Sequence, residues 1–328
     1  MTDRRWSECF GNGFMMAGEG FDCQGMSEKV GEDKLMEIEG VARGDNLVKI
    51  DGWGYADSGF QYDNNMVSFV GERYKIGKLE LPYFTAWCVD VLGVDFSKPP
   101  VPRKIQTPNP ANISEKFLKE LNHYGIQFSI EDSCRVFHGH GHALQDIFAI
   151  RYGVLERVPD IVVYPNNHNE VETIVQICST HNVVIIPFGG GTTVSGAVNC
   201  PGEEARTVVS LDTTSMDKII AIDTRNLTAR IEAGITGKNL EMKLAKKGFT
   251  VGHEPDSYEF STLGGWVSTR ASGMKKNVYG NIEDLLVGVR MVTPVGIIEK
   301  YCEVGTVTHF NQHRTEDRVF YTTGYLYI

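Results

Sequence analysis

The feature that most restricts the fold is Val184-Ile185-Ile186-Pro187-Phe188 running straight into Gly189-Gly190-Gly191-Thr192-Thr193. Val183 to Ile186 are β-branched and apolar, the composition of a strand covered on both faces. Pro187 has no N–H to donate, so it ends the ladder. Three glycines follow, with no side chains to hold a ligand away from the main chain. Such a loop can turn its amides inward and form an anion-binding nest. Thr192, Thr193 and Ser195 add hydroxyl donors there. A phosphate or pyrophosphate laid against backbone suits this stretch. A glycine-rich connection that binds nothing is the plain alternative.

The neighbouring sequence favours a ligand. Ile161–Tyr164 reads as a strand and Pro165-Asn166-Asn167 as a turn. Asn167 with Glu170 resembles a capping box opening a helix. Val171, Ile174, Val175 and Cys178 then share one helical face. The unit is β–α–β, the context in which a glycine loop carries meaning. The loop is not G-x-G-x-x-G, and no helix starts at its last glycine. A dinucleotide-binding Rossmann mode is therefore not expected.

Strands are expected over Thr207–Leu211, Ile219–Asp223 and Thr228–Ala233, and a helix over Lys238–Lys247 ended by Gly248. The run Ser261–Gly273 alternates hydroxyls, small residues and Arg270. It reads as a segment lying along a flat polar ligand, with Leu263, Trp266 and Val267 requiring burial. Upstream, residues 1–47 are acidic and weakly periodic and read as loosely ordered, apart from a short helical turn near Leu35, Met36 and Ile38. Residues 48–150 read as an accessory region, with an aromatic hairpin around Trp53, Tyr55, Phe60 and Tyr62 and a stiff linker at Pro99–Pro102. His138, His140 and His142 alternate, which raises a metal site with Asp146 as the only nearby carboxylate. Glycines between the histidines favour a loop with a packing role, and no metal is assigned.

With 328 residues there is room for two domains. A net charge of −10 without a Lys/Arg block disfavours nucleic acid. Seven scattered cysteines, never spaced C-x-x-C, fit reduced thiols better than a disulfide framework. No apolar run is long enough for a membrane span, and neither a signal peptide nor a peroxisomal terminal tripeptide is recognisable.

Three stretches resemble the flavin-contacting segments of the alkyldihydroxyacetonephosphate synthases, within the FAD-binding superfamily typified by vanillyl-alcohol oxidase. They are Pro187–Thr193, Asp256–Thr262 and Thr269–Ser272. The resemblance begins near Trp53-Gly54-Tyr55 and passes through Arg135-Val136-Phe137 and His140-Gly141-His142. It is densest over Gly264–Asn277 and Tyr279–Asp284, and runs to Met291-Val292-Thr293-Pro294. It departs at Val295, where the family has Arg, and at His138, and it ends near Lys300. Residues 301–328 show no segment like the family's fourth flavin contact.

The resemblance implies an α+β, vanillyl-alcohol-oxidase-type FAD-binding domain over residues 154–300. It would have two subdomains, the second truncated, and a divergent tail at 301–328. It implies FAD as cofactor, with its pyrophosphate on the Gly189–Gly191 amides. The implied cofactor residues are Pro187, Phe188, Gly189, Gly190, Gly191, Thr192, Thr193, Asp256, Ser257, Tyr258, Glu259, Phe260, Ser261, Thr262, Thr269, Arg270, Ala271 and Ser272. The family's acid/base residues lie beyond the matching region, so no catalytic residue is assigned. The implied reaction replaces the acyl chain of acyl-dihydroxyacetone phosphate with a fatty alcohol, through an adduct at flavin N5, and forms an ether-lipid bond. A peroxisomal location, peripheral membrane association and a homodimer are compatible with the resemblance. The competing readings are an FAD-dependent 2-hydroxyacid dehydrogenase and an FAD-binding fragment without activity.

Overall fold

The computed structural model describes residues 48–98, 107–153, 155–301 and 321–325. The acidic segment 1–47, the Pro99–Pro102 linker and most of the tail lie outside them. The chain builds three sheets. First comes a small antiparallel sheet of β1 (Gly59–Asp63), β2 (Met66–Val70) and β3 (Glu80–Leu81), followed by helix α1 (Phe84–Leu92). Asn64 and Asn65 close the β1–β2 hairpin with positive φ, as a two-residue turn requires. Phe60 and Tyr62 lie in this hairpin, whereas Trp53 and Tyr55 do not: Tyr55 bridges back to Val48.

Helices α2 (Glu115–His123), α3 (Asp132–Phe137) and α4 (Leu144–Tyr152) surround β4 (Gln127–Ser129) and lead into β5 (Ile161–Tyr164). Ser114 caps α2 by accepting the Phe117 amide at 3.2 Å. Helix α5 (His168–Thr180) then carries the chain to β6 (Val184–Phe188), and β7 (Val208–Asp212) follows. Asn167 accepts the Glu170 amide at 3.0 Å, as the cap signature requires. The returning Glu170 carboxylate takes the amide of Asn166 at 2.9 Å. The strand order is β4-β5-β7-β6, with β4 antiparallel and the rest parallel. The β–α–β unit is therefore present, but β7 lies between its two strands. Val171, Ile174 and Val175 bury against Ile161, Val163 and Val209 in one core.

The last sheet contains β8 (Ile219–Asp223), β9 (Thr228–Ile231), β10 (Leu286–Thr293), β11 (Gly296–Tyr301) and β12 (Tyr321–Tyr325). Its order is β11-β10-β12-β9-β8. Strand β12 is parallel to both β9 and β10, so residues after 300 supply backbone to the middle of this sheet. Helices α6 (Gly237–Ala245), α7 (Leu263–Thr269), α8 (Lys276–Tyr279) and α9 (Ile282–Leu285) complete the unit. Leu240, Leu244, Leu263, Trp266 and Ile282 pack with Ile219, Ile222 and Ile231 into a second core. Leu263, Trp266 and Val267 are buried as expected, and they sit on helix α7. The cause is local. Thr262 accepts the Gly265 amide at 3.3 Å as N-cap, and the small residues Gly264, Gly265 and Ser268 let the turn pack closely. Among the described residues no helix is long and apolar enough to cross a membrane.

Candidate FAD-binding site

The glycine loop leaves the C-terminal end of β6 and crosses Phe260–Thr262. A Cβ on Gly189 would lie 2.2 Å from the Thr262 hydroxyl, and one on Gly190 would lie 2.0 Å from the Phe260 carbonyl oxygen. Gly191 has φ +64, and a Cβ there would lie 2.6 Å from the Phe188 ring. Two of the three expected segments are thus brought together: Pro187–Thr193 and the end of Asp256–Thr262. The amides of Gly190, Gly191, Thr192, Thr193 and Val194 donate to no described residue. Consecutive amides without an acceptor among the described residues, beside a cleft, suit an anion, the chemistry a pyrophosphate presents. The Thr193 and Ser195 hydroxyls bond each other at 3.0 Å.

Trp53, His140, His142, Phe188 and Phe260 line the cleft next to Gly190 and Gly191. Trp53 meets both His142 and Phe260 edge-on, with ring centroids 5.0 and 5.1 Å away, and Tyr55 also packs on Phe260. This aromatic cluster joins residues about two hundred positions apart, and sequence spacing gave no sign of it. Composition assigned Trp53 and Tyr55 to a hairpin instead.

The three histidines do not converge. His142 Nδ1 lies 3.0 Å from the Gly191 carbonyl, and the His142 amide donates to Thr193 at 2.7 Å, so His142 braces the loop from behind. His140 lies between the carbonyls of Gly141 and Ile50, and burial holds its pKa down. His138 pairs with Asp212 at 3.0 Å. Asp146 accepts the Ala143 amide at the start of α4 and the Asn199 side chain at 2.8 Å. Among the described residues no group of three or more His, Cys, Asp or Glu could hold a metal.

Glu259 links the units. It accepts the Tyr74 hydroxyl at 2.9 Å and Lys238 Nζ at 2.7 Å. Burial first, then Glu259, raises the Tyr74 pKa far above that of an ordinary phenol. Asp256, Ser257 and Tyr258 form turns before α7, and Ser261 holds the Trp266 indole at 2.7 Å. Thr269–Ser272 stand at the opposite end of the helix from Thr262, about 10 Å along its axis. Arg270 adopts φ +52 and pairs with Glu283 at 3.1 Å. His253 is buried against Trp266, and neither ring nitrogen has a hydrogen-bond partner among the described residues. Burial pushes its pKa down to about 4.

The fold and the glycine cradle point to one class of domain: residues 159–301 match the family described as FAD binding domain. The chain's relatives include alkyldihydroxyacetonephosphate synthases. It is 47% identical to the one from Caenorhabditis elegans over 79% of this chain and 44% of that protein. It is 36% identical to the one from Trypanosoma brucei brucei over 77% of this chain and 42% of that protein. A solved alkyldihydroxyacetonephosphate synthase superposes with a TM-score of 0.72 at 34% identity, covering 77% of this chain and 49% of that one. The chain spans less than half the length of the curated relatives it matches.

Proposed function

We propose that this chain is part of an alkylglycerone-phosphate synthase. Such an enzyme exchanges the acyl chain of acyl-dihydroxyacetone phosphate for a fatty alcohol and so forms the ether bond of ether lipids. The observation that carries the reading is the cradle of unpaired amides at Gly190–Val194, set in a chain whose homologues carry that name. In this reading the amides and the Thr192 hydroxyl bind the FAD pyrophosphate. Phe260 and Thr262 fix the loop's path, and Asp256–Thr262 with Thr269–Ser272 line the flavin. When bound, FAD supplies an electron-poor ring able to hold a substrate carbon while one oxygen substituent replaces another.

The exposed apolar side chains of Phe84, Trp87, Val91 and Leu92 support peripheral contact with the membrane that carries these lipids. A peroxisomal location, a role in plasmalogen synthesis and a homodimer extend the same reading.

The test is direct. The purified chain, desalted and reconstituted with FAD, is read for bound-flavin absorbance. It is then incubated with acyl-dihydroxyacetone phosphate and a long-chain alcohol, and the alkyl product is sought by mass spectrometry. Flavin-dependent product supports the proposal. Oxidation of a 2-hydroxyacid without ether product would favour the dehydrogenase reading. Bound flavin with neither product would mark an FAD-binding module without turnover.

A further inference from the structure

Behind the glycine loop lies a second group of reactive side chains that the proposed reaction does not use. Cys134 on α3 is partly exposed. Its sulfur lies 2.8 Å from the Tyr164 hydroxyl at the end of β5 and 3.7 Å from His138 Nδ1. His138 is buried, and both of its ring nitrogens face acceptors. Nδ1 lies 2.8 Å from the Cys134 carbonyl oxygen, and Nε2 lies 3.0 Å from an Asp212 carboxylate oxygen. Asp212 is itself fixed, because its other oxygen accepts the Thr214 amide at 2.7 Å and the Thr214 hydroxyl at 2.6 Å. Two acceptors, one of them a carboxylate, favour a ring with a proton on each nitrogen. Such an imidazolium would lie beside the thiol.

The groups facing the His138 ring are Asp212 from β7, Cys134 from α3 and Tyr164 from β5, together with the Phe137 and Phe188 rings. Nucleophilic thiols have this chemistry: a cation and a hydroxyl donor at the sulfur, with a carboxylate behind the imidazole. The other described thiols do not. Cys178 and Cys200 are pushed up to about 12 by burial, and Cys88 is buried.

We propose that Cys134 is a nucleophilic thiolate held by His138, Asp212 and Tyr164, and a site of oxidation by hydroperoxides. The thiolate sulfur attacks one peroxide oxygen. An S–O bond forms as the O–O bond breaks. The sulfur loses two electrons and becomes a sulfenic acid, and the peroxide is reduced. The leaving oxygen departs as hydroxide or alkoxide and takes a proton from solvent. The direction of the titration agrees with the geometry. Burial opposes the Cys134 thiolate, but the His138 and Tyr164 bonds outweigh it and lower its pKa. Asp212 and Cys134 outweigh burial at His138 and lift its pKa to about 9.

The experiment uses the whole reduced chain. Iodoacetamide labelling of Cys134 is followed peptide by peptide from about pH 5.5 to 9, in native and urea-unfolded protein. In parallel, hydrogen peroxide is applied with a dimedone-type trap. The native Cys134 rate should be nearly flat between about pH 6 and 8 and on the order of tenfold above the unfolded rate at pH 6. The trap should label Cys134. His138→Gln should return the profile to that of an ordinary thiol, and Tyr164→Phe should move it part of the way. If H138Q does not fold, the wild-type profile decides alone. A native rate that rises through about pH 8.5 like a free thiol, or no native alkylation, would overturn the thiolate. A flat profile without trapped sulfenic acid would overturn the peroxide step.

Discussion

Gly190 passes so close to Phe260 that a Cβ at Gly190 would sit 2.0 Å from the Phe260 carbonyl oxygen. The obstacle is backbone, so it cannot swing aside. Gly190→Ala must therefore shift the loop. The expected result is a stability loss of about 1–3 kcal/mol and loss of FAD binding, read by thermal shift and flavin titration. Gly153→Ala is the control. Its nearest neighbour would lie 3.5 Å away, so it should change neither measurement.

How much of this site the sequence could show depends on the range of each contact. The strand before the loop, the helix capped by Asn167 and the loop itself are local, fixed by β-branching, cap chemistry and glycine, and they were legible, although Pro187 does not end the ladder: β6 runs on through Phe188, paired with Asp212. The contacts that shape the loop are not local. Phe260 covers Gly190 from about seventy residues away, and Trp53 reaches Phe260 from the segment before β1. His142 supports Gly191 across 49 positions. No periodicity reports such pairs. The helix over Leu263–Thr269 was not legible, because alternating hydroxyls and small residues carry no helical periodicity of their own.

Glu259 fastens the segment beneath the loop to Tyr74 of the N-terminal region and to Lys238 of α6. Glu259→Gln keeps the shape and removes the charge. Lys238 is half-exposed, which limits its share. A loss of about 1 kcal/mol is expected, with faster proteolysis within residues 48–98, followed by gel and mass spectrometry.

Asp160 is buried and accepts the amides of Asn112 and Val208 at 2.9 and 2.8 Å, as well as Arg157 at 2.8 Å. Asp160→Ala leaves all three donors without their acceptor. A loss of about 2–4 kcal/mol is expected in urea unfolding, with FAD affinity of any folded fraction little changed.

Two histidines bound the pH range of stability. The folded pKa of His138, about 9, lies above its unfolded value. Its contribution is complete below about pH 6.5 and is lost as pH rises through 9. His253 is depressed to about 4. The unfolded chain therefore binds its proton first, and stability falls as pH drops from about 6.5 towards 4. Urea midpoints should peak near neutrality. His253→Leu should flatten the acid limb and, by removing two unpaired buried nitrogens, raise the neutral midpoint.

The glycine loop is held from behind as well as in front. His142 braces the Gly191 carbonyl with Nδ1 and the Thr193 carbonyl with its amide, while Trp53 closes on its ring. A Cβ on Gly141 would reach within 2.4 Å of the Thr193 oxygen, so the two backbones run in direct contact. His142→Ala deletes the side-chain brace and the ring contact but leaves the amide bond to Thr193. The loop should keep its path yet lose rigidity, and ordering it again on binding costs free energy. The expected outcome is FAD affinity weakened on the order of tenfold, about 1.4 kcal/mol, with a thermal midpoint lowered only slightly. His142→Asn places an amide near the same carbonyl and should recover part of the affinity. Equal losses in both variants would assign the effect to the Trp53 contact, and Trp53→Ala would then reproduce it.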